Sequence, residues 1–274
     1  MDEDETKNIV LECGSAITKA GFAGDETPKA IFPTLFGHLK NLRDHQGEPN
    51  SNTYIGDQVL RQSADFIITS PIEHGIFTNF EDMEKLFHFI FFDELRCDPK
   101  DQRVLLIEPP KNPRYVREKQ AEIMFETYNV SSFLVKESPI LVLYSSGRNT
   151  GIILDIGEGI TYVNPLYDGF TIIRGVKRQN FAGFDLNEYL EDLIQCEQGF
   201  AFNTSSDRQL VRDIKEKQCY VALDYDAEIT KSKSEKTNDT TSSYFFADGT
   251  ELKLSSERFK CPELLFKPHL NGFE

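Results

Sequence analysis

The sequence is poor in cysteine, in basic side chains and in long apolar runs. Its five cysteines are scattered and never stand in C-x-x-C spacing, so neither a disulfide framework nor a zinc site is indicated. No stretch approaches the ~18 consecutive apolar residues of a membrane-spanning helix. The acidic residues 2–5 are the reverse of a basic secretory signal. We therefore expect a reduced protein of the cytosol or nucleus, without membrane insertion.

Acidic side chains outnumber basic ones by 45 to 30, which gives a formal charge of −15. Because binding to a phosphate backbone needs a clustered positive surface, we exclude nucleic acid as the main partner. The 274 residues, 39% of them apolar, have room for two domains with a substantial core.

A short internal repeat is the most informative pattern. Residues 9–18 (IVLECGSAIT) align without a gap on residues 152–161 (IILDIGEGIT). Each copy predicts a buried strand, a tight glycine turn and a second strand. Such turns present successive N–H groups to a phosphate, and an acid beside a phosphate implies a divalent cation held through water. Two similar, phosphate-binding halves are the preferred interpretation, and two ordinary hairpins are the alternative.

The segments between and after the repeats predict a mixed α/β structure. Strands are predicted at residues 103–108, 131–135 and 150–155, and helices at 113–127 and 138–146. This order predicts a sheet that begins as a hairpin, continues through crossovers and is flanked by helices.

One further helix is well marked at residues 79–95, where Asn79 is a suitable N-cap. Its apolar residues recur three and four positions apart and predict a core-facing stripe: Phe80, Met83, Phe87, Ile90 and Phe91. Residues 37–52 predict an exposed loop. Residues 231–243 predict a solvated, low-complexity connection between a helix ending near Leu223 and two short strands.

The duplicated turn, together with several other motifs, resembles the actin family. Residues 19–25 (KAGFAGD) follow the first copy as they do in that family. Further motifs occur in the family's order, at residues 71–75, 82–85, 117–119, 123–127, 146–148, 211–217 and 257–263. A sugar kinase or an Hsp70-type ATPase shares the duplicated turns but not these motifs.

The resemblance implies an actin-like ATPase fold, with ribonuclease H-like duplicated mixed sheets and flanking helices. Residues 1–146 would form subdomains 1 and 2, with subdomain 2 at about 34–69. Residues 147–274 would form part of subdomain 3, together with subdomain 4 at about 182–261. The family chain is longer, so this sequence stops within subdomain 3 and lacks the segment that closes over the adenosine. We expect a fragment; a partner that supplies the rest and a short natural variant are the alternatives.

The family's cleft binds ATP or ADP with Mg²⁺ or Ca²⁺, and its residues carry over to matching positions. The nucleotide-binding positions are Gly14, Ser15, Ala16, Lys19, Gly157, Glu158, Gly159, Gly183, Arg212, Lys215 and Glu216. Glu12 and Asp155 stand where the cation is held through water. At the two turns, four residues depart from the family: Glu12 and Glu158 each replace an aspartate, Cys13 replaces an asparagine, and Ala16 replaces a glycine. A longer carboxylate at Glu12 would displace the cation's water shell.

Two substitutions affect hydrolysis. Ser138 and Tyr162 occupy the positions where the family has a glutamine and a histidine that position the attacking water. Serine is too short for that role, and tyrosine, with a pKa near ~10, is not a base at neutral pH. Asp155 is the one remaining, weak catalytic candidate. We expect ATP hydrolysis to be weak or lost.

The expected function is that of a divergent, actin-like cytoskeletal protein. It would bind adenine nucleotide and a divalent cation in an interdomain cleft and assemble into a filament or a larger complex. The alternatives are a non-polymerising, actin-related scaffold subunit and, less favoured, a metabolic phosphotransferase. Residues 48–50 (Glu-Pro-Asn) stand where the family has an apolar plug, so we expect self-assembly to be weak. Expected partners are actin-like protomers and actin-binding proteins, in the cytoplasm and cytoskeleton or in a nuclear or ciliary complex.

Overall fold

The computed structural model describes residues 8–40, 53–62, 65–234, 241–246 and 248–272. The acidic residues 2–5 and the loop tip at 48–50 lie outside the described residues. The chain divides into two compact units, Met1–Phe181 and Ala182–Glu274.

The first unit combines several sheets with flanking helices. Its strands are β1 (Asn8–Cys13), β2 (Ile17–Phe22), β3 (Ala30–Pro33), β4 (Phe36–Leu39), β5 (Thr53–Ile55), β6 (Phe66–Thr69), β7 (Ile72–Glu73), β8 (Ile76–Phe77), β9 (Arg103–Glu108), β10 (Ser132–Glu137), β11 (Gly151–Ile156), β12 (Thr161–Tyr167), β13 (Phe170–Thr171) and β14 (Lys177–Gln179). Its helices are α1 (Asp57–Arg61), α2 (Phe80–His88), α3 (Arg114–Glu122) and α4 (Ser138–Ser145).

The central sheet has the order β10-β9-β1-β2-β3. Strands β1, β2 and β3 are antiparallel neighbours, whereas β9 runs parallel to β1 and β10 parallel to β9. Parallel strands need a crossover of a dozen or more residues, usually a helix. The connection between β9 and β10 is about two dozen residues long and contains helix α3. The predicted mixed sheet, hairpin first and crossovers later, is confirmed.

Helix α2 covers part of this sheet with the predicted stripe. The Asn79 side chain accepts hydrogen bonds from the N–H groups of Glu81 and Asp82, which confirms the N-cap. After His88 the helix continues as a π-helical turn, Phe89–Glu94. Four of the five stripe residues are fully buried: Met83, Phe87, Ile90 and Phe91. The fifth, Phe80, packs against them from a partly exposed position, so the stripe is core and not a binding face.

The second sheet is built on the second repeat. It has the order β11-β12-β13, β14 pairs with β12 on the same edge as β13 and away from β11, and all its pairs are antiparallel. One face of β11 is apolar and exposed at alternate positions, where Ile152, Leu154 and Ile156 expose 71, 61 and 47% of their surface.

The second unit consists of helices and one hairpin. The helices are α5 (Gly183–Gln198), α6 (Ser205–Gln218), α7 (Tyr225–Ser234) and α8 (Glu257–Glu263), and the strands are β15 (Ser242–Phe245) and β16 (Glu251–Leu254). A capping box starts α6: the Thr204 hydroxyl accepts from the Asp207 N–H, and the Asp207 carboxylate accepts from the Thr204 N–H.

Two predicted loops differ from the structure. Residues 37–39 belong to β4, which pairs with both β5 and β6, and their backbone is therefore satisfied within a sheet. Helix α6 ends at Gln218 and not near Leu223, because Cys219 adopts an extended conformation. Helix α7 then covers the start of the region predicted as a solvated connection, and residues 235–240 of that region lie outside the described residues.

Candidate functional site

The two copies of the repeat form the same local structure. In the first, the Gly14 N–H donates to the Ile17 carbonyl oxygen at 3.1 Å. In the second, the Gly157 N–H donates to the Ile160 carbonyl oxygen at 3.0 Å. The predicted strand, turn and strand are confirmed at both sites, with matching closing hydrogen bonds.

Glycine is needed at Gly14 and Gly159 for space and not for a left-handed backbone. Described glycines with positive φ occur elsewhere in the chain and do not include Gly14, Gly157 or Gly159. A Cβ on Gly14 would lie 2.8 Å from the Ile17 carbonyl oxygen, which no folded chain accommodates without a shift. A Cβ on Gly159 would lie 2.6 Å from the Ser15 Oγ. The two turns therefore approach each other directly.

The hairpin β7–β8 joins the two turns. Its Gly75 N–H donates to the Ser15 Oγ of the first turn at 2.9 Å. The Nδ1 of His74 is hydrogen-bonded to the Gly159 carbonyl oxygen of the second turn at 2.7 Å. Arg178 fixes this hairpin by donating a hydrogen bond from its guanidinium to the His74 carbonyl oxygen at 2.6 Å. The two turns, about 140 residues apart in sequence, are thus held in one hydrogen-bonded group.

Three of these residues have structural roles that sequence reasoning missed. His74 and Gly75 lie in a motif that supported the resemblance but was given no role at the site. Arg178 has no sequence signal, because its partners, the carbonyl oxygens of His74 and Pro110, are far away in the chain. Its burial lowers the pKa of the guanidinium relative to an exposed arginine.

A cleft of about 290 Å³ lies against both turns. It is lined by Gly14, Ser15, Ala16, Lys19, Gly157, Glu158, Gly159, Glu12, Asp155, Ser138 and Tyr162, together with neighbouring residues. The structure therefore brings together all the predicted site residues of the first unit. Within the described part of the chain, the N–H groups of Ser15, Ala16 and Gly159 have no hydrogen-bond acceptor.

Charge in the cleft is predominantly negative. Four carboxylates line it, from Glu12, Glu108, Asp155 and Glu158, against the single ammonium of Lys19. The buried Glu108 is neutralised by Arg117, with which it forms an ion pair. A bare phosphate would be repelled by the remaining carboxylates, whereas a phosphate that arrives with a divalent cation would not.

Each hairpin pairs its acid with the residue opposite it on the second strand. In the first hairpin Glu12 lies opposite Lys19, and the two form a salt bridge of 3.0 Å. In the second hairpin Asp155 lies opposite Tyr162, whose hydroxyl donates to the Asp155 Oδ2 at 2.7 Å. The two pairs occupy equivalent positions of the repeat, so both cation-position carboxylates are engaged by the protein's own side chains.

Tyr162 is the buried member of the second pair. The tyrosine is 3% exposed, and its hydroxyl donates to Asp155. Burial, with a further contribution from Asp155, raises the pKa of Tyr162 above its ordinary value. The phenol therefore stays protonated at neutral pH and donates a hydrogen bond; it does not accept a proton from water.

Cys13, which stands at the end of β1 beside the first turn, is also protonated. Burial, followed by the charge of Glu12, raises the pKa of its thiol to about 12. It therefore adds no charge to the cleft.

The predicted site residues of the second unit form two contacts. The Lys215 Nζ donates to the Gly183 carbonyl oxygen at 2.7 Å, which joins α6 to the start of α5. On the same helix, the Arg212 Nε donates to the Oε1 of Glu216, four residues later, at 2.9 Å. The four residues are thus close together within the second unit.

Two features that are absent from the described residues bear on cation binding and on the membrane. No group of three or more His, Cys, Asp or Glu side chains among them is arranged to hold a metal ion directly. None of the helices in the described ranges combines the length and the apolar character needed to span a bilayer.

A mixed α/β unit in which two equivalent glycine turns face one cleft defines the actin-like ATPase fold. The family model described as Actin matches residues 3–274. The chain is also 40% identical over 268 residues to a protein of Neurospora crassa described as "Actin-like protein", a match that covers 97% of this chain and 70% of the relative. The chain belongs to the actin family.

Proposed function

We propose that this protein is a divergent, actin-related protein that binds adenine nucleotide together with a divalent cation at the two glycine turns. The observation that carries the proposal is the shared cleft: two turns with matching hydrogen bonds meet across Gly159 and Ser15. Backbone N–H groups in such turns form a concave site for phosphate oxygens. The cleft also lies beside a lysine, Lys19, that suits a phosphate.

The residues present fit a hydrated cation. Mg²⁺ is typically bound by one or two carboxylates, with waters and phosphate oxygens as its other ligands. Glu12 and Asp155 supply such carboxylates at equivalent positions of the two copies of the repeat. The described residues hold no cluster that would bind the metal without phosphate. The cation would neutralise phosphate charge. The chain's own part is to position it through these two side chains.

Hydrolysis is proposed to be weak or lost. Tyr162 is a buried hydrogen-bond donor to Asp155, so neither side chain serves as a base toward water while that bond is intact. Ser138 lines the same cleft, but its side chain is too short to hold a water molecule as a glutamine would. Of the three residues that would have to orient the water, two are therefore bonded to each other and the third is too short.

Nucleotide binding is tested with a fluorescent ATP analogue titrated against the 274-residue chain, with Mg²⁺ and with EDTA. We expect saturable binding that needs the cation, and weaker binding by Lys19→Gln. The matched control is Lys100→Gln, which changes an exposed lysine outside the cleft. No binding to the wild-type chain, or equal losses in the two variants, would overturn the assignment of the turns as the phosphate site.

Hydrolysis is tested separately by phosphate release from the wild type and from the double variant Ser138→Gln, Tyr162→His. We expect little turnover by the wild type and an increase in the double variant. Wild-type turnover as fast as that of a conventional actin would refute the proposed loss of hydrolysis without touching the proposal on binding.

Association with actin-like protomers or with a larger cytoskeletal complex in the cytoplasm is proposed from membership of the family. Sedimentation under polymerising salt conditions measures it directly. Pelleting that depends on protein concentration supports assembly. A monomer that keeps its nucleotide under the same conditions favours the alternative, a non-polymerising scaffold subunit.

A further inference from the structure

The two copies of the repeat differ in what covers one face of their first strand. In the alignment of the copies, Ile9 and Leu11 of β1 correspond to Ile152 and Leu154 of β11. Ile9 and Leu11 are fully buried, in one core cluster with the apolar stripe of α2. Ile152 and Leu154 expose 71 and 61% of their surface. The same apolar positions are therefore core in the first sheet and surface in the second.

The exposed apolar surface extends over three neighbouring strands. Ile152 is paired with Pro165 of β12, so Tyr167, two residues further along β12, lies on the same face of the sheet. Phe170 of β13 is paired with Tyr167 and shares that face. We refer to the five residues of this face that expose 47–76% of their surface as the open face: Ile152, Leu154, Ile156, Tyr167 and Phe170.

The open face carries no charged side chain, in a chain in which 27% of the residues are charged. The residues of β12 that pair with its β11 members are uncharged as well: Thr161, Val163 and Pro165. Lys177 of β14 pairs with Val163 and places a charge at the margin. Large exposed apolar patches with a polar rim mark interaction sites. Because no like charges would face each other across it, this patch is compatible with a second copy of itself.

The size of the open face determines how strong such an association can be. A fully covered aromatic side chain buries about 150–250 Å², and a buried aliphatic side chain about 60–120 Å². At their present exposure, the five side chains offer on the order of 300–600 Å² in each copy. Stable interfaces bury about 800 Å² per partner. With its margin, the open face approaches that size, which predicts a weak dimer.

We propose that two copies of this chain associate through the open face, which packs on the same face of the second copy about a two-fold axis. Sheets that pack face to face lie about 10 Å apart with their side chains interdigitated. A second copy is the one occupant whose surface is known from the structure, and it matches in extent, in apolar character and in lack of charge. Because both copies use the same patch, association ends at the dimer.

The proposal does not depend on nucleotide binding, because no residue of the open face lines the cleft. It also differs from assembly into a filament. A closed dimer leaves no second surface for further copies, so it stays in the supernatant in the sedimentation test for filaments.

The test is sedimentation equilibrium of the 274-residue chain, from low micromolar to several hundred micromolar. We expect a monomer–dimer equilibrium that salt shifts toward the dimer, because each copy carries a formal charge of −15 and salt screens the repulsion. Leu154→Lys should raise the dissociation constant about tenfold or more, since each dimer would bury two unpaired ammonium groups. A wild type that stays monomeric throughout would overturn the proposal, as would equal dissociation constants for the wild type and Leu154→Lys.

Leu134→Lys is the matched control, since Leu134 exposes 54% of its surface on β10 of the first sheet. The same change there should leave the dissociation constant as it is in the wild type. Circular dichroism of both variants verifies that they are folded.

Hydroxyl-radical footprinting locates the contact without any substitution. On passing from dilute monomer to concentrated dimer, Tyr167 and Phe170 should become several-fold less reactive. Tyr115, which exposes 56% of its surface outside the open face, should keep its reactivity and is the internal control. A dimer in which Tyr167 and Phe170 react as they do in the monomer would have its contact elsewhere and would overturn the proposal.

Discussion

The contact between Tyr162 and Asp155 offers a direct test of the reasoning about the cleft. In Tyr162→Phe the ring stays in place and the hydroxyl is lost, together with a hydrogen bond of 2.7 Å to a carboxylate. Intramolecular hydrogen bonds to charged groups contribute ~1.5–3 kcal/mol to stability. Asp155 is only half-buried, so water can replace the lost donor. We therefore expect the lower end of that range, about 1.5 kcal/mol less free energy of unfolding.

The measurement is urea unfolding followed by circular dichroism, and Tyr167→Phe is the matched control. Tyr167 lies on the same strand but exposes 68% of its surface, so its hydroxyl is solvated and the change should stay within about 0.5 kcal/mol. Equal losses in the two variants would show that the Tyr162 hydroxyl makes no net contribution, and would remove the basis for treating Asp155 as engaged.

The wild type and Tyr162→Phe should also differ in how their stability depends on pH. Because burial raises the pKa of Tyr162 in the folded state, its contribution is fully present below the unfolded pKa of ~10. It is lost as the pH rises through the folded value. The difference in stability between the wild type and Tyr162→Phe should therefore be constant near neutral pH and shrink above about pH 10. A difference that grows in alkali would contradict this assignment.

Two further predictions concern other contacts. Gly159→Ala, which forces a Cβ to within 2.6 Å of the first turn, should lower the free energy of unfolding by about 1–3 kcal/mol. Gly157→Ala, whose Cβ meets its nearest neighbour at 3.6 Å, should have a much smaller effect in the same urea titration. Asn79→Ala should cost about 0.5–2 kcal/mol by removing the cap of α2, with Asn79→Ser as the variant that retains it.

Features fixed by local chemistry could be predicted from the sequence. The strand Arg103–Glu108 and the cap at Asn79 depend on residues close together in the chain, and both are confirmed. The contacts within each hairpin were also within reach, because a turn of this length places Glu12 opposite Lys19 and Asp155 opposite Tyr162. The register of a hairpin follows from the length of its turn.

Contacts between distant segments could not be predicted in this way. The hydrogen bond from Arg178 to the His74 carbonyl oxygen joins positions 104 residues apart, and no local pattern marks either partner. The approach of Gly159 to Ser15 depends on how two sheets pack, which the repeat implies but does not determine.

The two hairpins also explain how binding and hydrolysis can separate in one chain. Their turns are equivalent, and on the proposed function both contribute to the phosphate site. Their acid pairs differ: Lys19 holds Glu12 by an exposed ion pair, whereas Tyr162 holds Asp155 by a partly buried hydrogen bond. Exposed ion pairs contribute about 0–1 kcal/mol, so Lys19 can exchange Glu12 for a phosphate at little cost. Breaking the partly buried bond costs more, about 1.5 kcal/mol. The half of the cleft that would activate water is therefore the half that is harder to open, so a chain with this pairing retains phosphate binding more readily than hydrolysis.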